Sequence, residues 1–233
     1  YSQELIFLVS MAVVIAMLAR VTNDLGEDAR RKILFAAVII FVFRSTPLVG
    51  EGYTWFSIDE LGFDEAFYGT LAQIGAGLAM AGTWLLADTI TRRPIASTLL
   101  LLTILYTALS LPTIGLAYRI DLWTEELFGF GARTIALINT AAESPFAQLS
   151  MIPMLTLIAI HAPPARRATW FALMASLMNL ALVAGQLQTK YLNWIFEVNR
   201  GHYADIPALV ITAITIGFVV PLTVILLFGR RAT

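Results

Sequence analysis

The chain has 233 residues, is 58% hydrophobic and 13% charged, carries a net charge of −1 and has a mean hydropathy of +0.78. Soluble domains hold about 45–50% apolar and about 25% charged residues, so this is the composition of a polytopic membrane protein. The near-neutral balance excludes a nucleic-acid footprint, and the lack of cysteine excludes disulfides and thiolate chemistry. His161 and His202 are far apart and lack metal-ligand spacing, so neither a metal nor another cofactor is expected.

A spanning helix takes about 20 mostly apolar residues. Seven stretches qualify, at roughly 4–21, 33–57, 66–88, 95–116, 133–161, 167–189 and 206–228. The expected fold is therefore an all-α integral membrane protein with seven transmembrane helices. The first stretch has no positive segment ahead of it and no small-residue cleavage site, so it is a span and not a removable signal. The connections alternate in charge. Arg30, Arg31 and Lys32 follow the first stretch, whereas Asp59, Glu60, Asp64 and Glu65 follow the second with no cation among them. Arg92-Arg93, Arg166-Arg167 and Arg230-Arg231 follow the third, fifth and seventh. Lys and Arg gather on the cytoplasmic side, which puts the start of the chain outside and its C-terminus in the cytoplasm. A chain that opens on Tyr1 at the outer face of a helix, with an odd number of spans, is expected to be the later part of a longer protein. The outer connections 117–132 and 190–205 hold Tyr118, Trp123, Phe128 and Phe130, then Tyr191, Trp194, Phe196 and Tyr203. Such rings form an interfacial belt, with a lid over a cavity as the second reading.

The chemistry-bearing residues sit where the bilayer makes them expensive. Arg44 and Glu51 extend an uncharged run, 33–43, and a charge at mid-bilayer costs about 2.5–3.5 kcal/mol on insertion scales. Seven residues put the two on one face but about 10 Å apart along the axis, too far for a direct pair. Pro47, Gly50 and Gly52 loosen the helix around them. Charged, Pro/Gly-interrupted helices are a recurring design of transporter binding sites. The plainer reading has Arg44 snorkelling inward and Glu51 already at the outer interface. In the third stretch Gln73 is a candidate polar contact, while Gly75, Gly77 and Gly82 point to close helix packing. The turn that follows offers Asp88 with Arg92 or Arg93 as a conformational latch, against plain positive-inside topology. Asn139 and Glu143 share a face of the fifth stretch. Glu143, near mid-membrane with no local cation, is a candidate proton carrier or the partner of Arg44. The sixth stretch aligns Ser176, Asn179 and Gln186, which orient a solute or hydrogen-bond a neighbouring helix.

Arg44-Ser45-Thr46-Pro47, followed by Gly50-Glu51-Gly52 and Asp59-Glu60-Leu61-Gly62-Phe63, resembles the seventh helix and following loop of the folate–biopterin transporter family, part of the major facilitator superfamily. Residues 162–180 are similar to that family's turn and eleventh helix, where Cys-Pro-x-Gly-x-Glu-Ala-Thr-x-Phe-Ala-Leu is usual. Here Ala162 and Ala165 replace the Cys and Gly, and Arg167 stands where an acidic residue is common. The 88–93 turn resembles the superfamily's loop between helices eight and nine. The resemblance implies that residues 1–21 are the last helix of an N-terminal half, 22–32 a cytoplasmic linker, and 33–233 a six-helix C-terminal bundle.

It also implies a secondary active transporter that moves a pterin-like or folate-like organic solute by alternating access as a proton symporter. The expected partners are the lipid bilayer, the solute (anionic where it carries a carboxylate), protons, and an N-terminal half on the same or a separate chain. Arg44, Glu51, Gln73, Asn139, Asn179 and Gln186 would bind solute, and Glu143 and Glu51 would carry the proton. Arg44 would hold a solute carboxylate through paired charge-assisted hydrogen bonds. The alternative is a non-transporting membrane assembly factor on the same scaffold, for instance for pigment–protein complexes. That role would leave Arg44 and Glu143 paired and sealed from water. An enzyme is not expected, because no metal cluster, Gly-x-Ser-x-Gly or cysteine nucleophile is present.

Overall fold

The computed structural model describes residues 2–232. Its α-helices are α1 (Ser2–Val21), α2 (Glu27–Arg44), α3 (Gly50–Asp59), α4 (Glu65–Thr91), α5 (Ile95–Leu109), α6 (Leu111–Ala117), α7 (Ile120–Phe128), α8 (Ala132–Glu143), α9 (Met151–Ile160), α10 (Arg167–Ile195) and α11 (Ile206–Phe228). Six helical runs are long and apolar enough to cross a bilayer: Ser2–Val21, Glu65–Thr91, Ile95–Ala117, Ala132–Ile160, Pro164–Ile195 and Ile206–Phe228. They coincide with six of the seven expected stretches, and the chain is an all-α, multi-pass integral membrane protein. The remaining stretch, 33–57, departs from a continuous helix: α2 stops at Arg44 and α3 restarts at Gly50.

Local chemistry sets several of these boundaries. Asp64 caps α4 by accepting from the Phe67 backbone N–H at 2.7 Å, which satisfies one of the orphan donors of a helix start. Gly129, at a φ of 74°, terminates α7 in the left-handed conformation that only glycine adopts cheaply. Arg119, with a φ of 58°, precedes α7 and folds back on Asp121, which is buried. The outer face of α7 leaves Leu122, Trp123, Leu127 and Phe128 exposed, with the Trp123 and Phe128 rings edge to face at 5.9 Å. A short helix with this apolar face suits a membrane interface, the setting that the belt reading of loop 117–132 calls for.

Two large hydrophobic clusters hold the helices together, and a smaller one of Ile90, Leu102 and Leu149 ties α4 and α5 to the turn before α9. Ile39, Ile40, Leu99, Met154, Leu157, Trp170, Met174 and Ile225 form one, joining α2, α5, α9, α10 and α11. Phe56, Phe63, Phe67, Leu116, Ile206, Leu209 and Val210 form the other, joining α3, α4, α6 and α11. Residues 45–49 fall at the seam between them. Trp170 is 1% exposed, and its indole N–H donates to the Ile158 carbonyl at 2.8 Å. The ring thus anchors the start of α10 to α9 and satisfies its polar edge in a dry core. By contrast, α1 packs along α10 with only Val14 buried.

Candidate functional site

The interruption at residues 45–49 has a plain local cause. Pro47 has no N–H to give a helix, and the residue before a proline is pushed out of the α region. Gly50, at a φ of +78°, turns the chain into α3. Inside a bilayer the freed backbone groups need partners from protein, because lipid offers none. α10 supplies them. Gln188 Nε2 donates to the Ser45 carbonyl at 2.7 Å, and Thr189 Oγ1 accepts from Leu48 N at 2.9 Å. Asn193 works both ways, donating to the Val49 carbonyl at 3.1 Å and accepting from Gly52 N at 3.0 Å. The backbones approach closely here. A Cβ on Gly185 would lie 2.9 Å from the Thr46 carbonyl oxygen, and one on Gly50 would lie 2.7 Å from Asn193 Nδ2.

A second span is interrupted as well. After α8 the chain makes a 3₁₀ turn at Ser144–Phe146 and a further turn before α9 begins at Met151. This bend is pressed against α4, where a Cβ on Gly82 would collide with the Pro145 backbone and one on Gly75 would lie 3.2 Å from Ser144 Oγ. The expectation that the glycines of the third stretch serve close packing holds for Gly75 and Gly82, whereas Gly77 meets nothing within 4 Å.

Arg44 connects the two interruptions. It is the last residue of α2, and its Nη1 lies 3.2 Å from the sulfur of Met151, the first residue of α9. A thioether is a weak acceptor, and Arg44 Nε is buried without a partner. Glu143 is half-buried, and Asn139 approaches it from one turn back while keeping its own Oδ1 buried and unpartnered. The expected pairing of Arg44 with Glu143 is not formed: among the described residues no ion pair joins them. Both instead line one cavity of about 2380 Å³.

That cavity extends from Arg44 and Glu143 past residues 46–52 to the α10–α11 loop at Glu197, Arg200 and His202. Thr103 and Tyr106 of α5 and Gln186 and Lys190 of α10 complete the wall. Of the residues singled out in the sequence, Arg44, Glu51, Glu143 and Gln186 face this space. Gln73 and Asn179 are exposed on other helix faces and, with Asn139, do not line it. Helical stripes alone do not say which stripe turns to the cavity. Gln188, Thr189 and Asn193 were not anticipated, although a broken span requires polar side chains from a neighbour and 186–193 is the most amide-rich stretch of α10.

At the α4 end, Asp88 is exposed and forms no ion pair with Arg92 or Arg93 among the described residues; the link there is backbone, Arg92 N to the Asp88 carbonyl at 3.3 Å. Ion pairs gather instead at the acidic α3–α4 connection. Glu60 meets Arg119 at 3.1 Å, Asp64 meets Arg133 at 2.7 Å and Asp59 meets Arg200 at 3.5 Å, so this connection is tied to two other loops and to the first turn of α8. The Phe67 N–H and then Arg133 hold the Asp64 carboxyl below its ordinary value. The Tyr203 hydroxyl and then Arg200 do the same for Asp59. At the opposite end Arg166 reaches Asp24 at 2.8 Å.

The arrangement of interrupted spans, an arginine without a carboxylate partner and a shared cavity accompanies a match across nearly the whole chain. The sequence model of the BT1 family covers residues 5–232. The chain belongs to the BT1 family. A similar protein is the folate-biopterin transporter of Synechocystis sp., 27% identical over 167 residues, which are 70% of this chain and 33% of that protein. The chain thus spans about a third of the length of this curated relative. No solved structure matches. For this BT1 member, the family's residues 44–52 are the interrupted segment itself, and residues 162–180 carry Trp170 and the start of α10.

Proposed function

We propose that this BT1 protein is part of a secondary active transporter for a folate-like or pterin-like solute, working by alternating access and coupled to protons. The observation that carries the reading is Arg44: a guanidinium at an interrupted span, without a carboxylate partner among the described residues, beside a cavity that it shares with Glu143 and Glu51. A charge that expensive, left without an internal counter-ion, suits an anionic solute that arrives from outside. Glu143 and Glu51 are the proton carriers of this reading, and Gln186 is the orienting amide. An N-terminal half, on the same or a separate chain, forms the facing wall, with the start of this segment outside and its C-terminus in the cytoplasm. The assembly-factor alternative calls for Arg44 and Glu143 sealed against each other, which is not their arrangement. Membership of a transporter family leaves no enzymatic reading.

Uptake of radiolabelled folic acid into proteoliposomes, with and without an inward proton gradient, tests the proposal. Arg44→Ala is expected to lower folic acid uptake about tenfold or more, as loss of a charged hydrogen-bond pair would. Glu143→Gln is expected to abolish stimulation by the gradient. Wild-type uptake and pH dependence in both folded variants would overturn it.

A further inference from the structure

We propose that Trp55 and Arg200 form a ring-stacking subsite at the loop end of the cavity, taking the planar heteroaromatic part of an anionic solute whose carboxylate reaches Arg44. The inference rests on the transport reading above and narrows its solute to an elongated class. Trp55, Trp194, Arg200 and His202 all face the cavity that Arg44 lines. They differ in this from Trp123 on α7, whose exposed ring belongs to an interfacial helix and does not line the cavity.

The subsite is built and held from several sides. Arg200 Cζ lies over the Trp55 ring, 4.5 Å from its centroid, so the guanidinium is already in cation–π contact. One edge points to Asp59, with Nη2 and Oδ1 3.5 Å apart, and Asp59 is itself fixed by the Tyr203 hydroxyl. The backbone beneath is a tight turn, closed by His202 N donating to the Asn199 carbonyl at 2.9 Å and made possible by Gly201 at a φ of +84°. The Arg200 side chain nevertheless keeps 62% of its surface exposed. A planar cation held against one ring, with most of its surface open to a cavity, is a platform for a second ring; guanidinium stacks on aromatic π-systems better than lysine does. Trp194, 75% exposed at the same mouth, adds a second apolar ring.

The separation from Arg44 sets the length of the solute. At 1.5 Å per residue, Trp55 stands about 7 Å along α3 from Gly50, and the five-residue interruption separates Gly50 from Arg44, so the two groups stand at different ends of the cavity wall. The cavity of about 2380 Å³ is continuous between these two ends. A ring joined through a linker to a carboxylate fits this span, and a small bicyclic ring alone occupies only one end.

The test is concentration-dependent uptake of folic acid and of biopterin, which lacks a carboxylate, by the whole transporter in proteoliposomes. Trp55→Leu and Arg200→Gln are expected to raise KM for folic acid about tenfold, the usual weight of one ring stack, with the maximal rate within about twofold of wild type. Arg200→Lys keeps the charge and the fold but loses the plane, and is expected to raise KM as Arg200→Gln does. Arg44→Gln is expected to erase the preference for folic acid over biopterin. Wild-type uptake with unchanged KM in Trp55→Leu and Arg200→Lys overturns the subsite and leaves the transport reading standing. Absence of uptake of either compound by the wild type overturns both.

Discussion

Residues 45–49 interrupt the apolar stretch 33–57 and residues 144–150 interrupt a membrane span, and they are held by opposite means. At the first, three side chains of α10 replace the missing helical hydrogen bonds one by one, through Gln188, Thr189 and Asn193. At the second, α4 offers almost no chemistry and simply comes close, with Gly82 against the Pro145 backbone. Hydrogen bonds to side chains can be exchanged for others at small net cost, about 0.5–1.5 kcal/mol each, whereas a backbone pressed on a glycine has one fit. The first interruption is thus suited to shifting, and the second to acting as a fixed abutment. Arg44 spans the two, anchored in one and touching the sulfur at the start of α9.

The sharpest way to break this comparison is at the abutment. Gly82→Val has no room for its side chain, and overpacking against backbone is expected to cost about 3 kcal/mol. The measurement is melting temperature and monodispersity in detergent, and a variant as stable as wild type would show that α4 is not a fixed support. Comparable in size is Asn193→Leu, which strips partners from the Val49 carbonyl and the Gly52 N–H. Leaving two such groups unpaired is expected to cost about 2–4 kcal/mol and to lower folic acid uptake further than stability alone accounts for. Thr189→Val, which removes one partner, is expected to cost about 1 kcal/mol, read as a melting-temperature shift smaller than that of Asn193→Leu. If the two variants are equal, the clamp is not built of separable bonds.

Smaller still is the effect of acid on the loop that joins the two regions. Asp59 ends α3 and Asp64 caps α4, and both carboxyls are held below the ordinary aspartate value of 3.8 in the folded protein. Their contribution to stability is therefore complete above that value and is lost as the pH falls through it toward the lower folded-state values. A modest loss of melting temperature below about pH 4 is expected, and Asp64→Asn is expected to flatten it. Both aspartates are exposed, so the shift should be the smallest of the four.

Much of this was legible in the sequence, for identifiable reasons. An apolar run leaves a helix no alternative in a bilayer, so the positions of six spans follow from hydropathy alone. The charge of residues 58–65 likewise marked a connection, though not that Arg119, Arg133 and Arg200 would each find one of its acids. Pro47 and its flanking glycines announced an interruption, and Arg44, Glu51, Glu143 and Gln186 do meet at one cavity. Asn179 and Gln186 shared a predicted stripe, yet only Gln186 lines that space, because the tilt and rotation of α10 are set by packing of Trp170, Met174 and Ala181 that no periodicity reveals. The role of Asn193 was hidden for the same reason: its partners lie on another helix.

The clamp on residues 45–49 also has a history in time. Its hydrogen bonds join residues up to 144 positions apart. A ribosome adding about 5–20 residues per second delivers Asn193 roughly 7–30 s after Val49. Through that interval the second span is in place without the helix that completes it, so its open carbonyls depend on water or on the insertion machinery. Completion of the clamp thus waits on the arrival of α10, and a truncation just before residue 188 leaves the Ser45 and Val49 carbonyls without these partners.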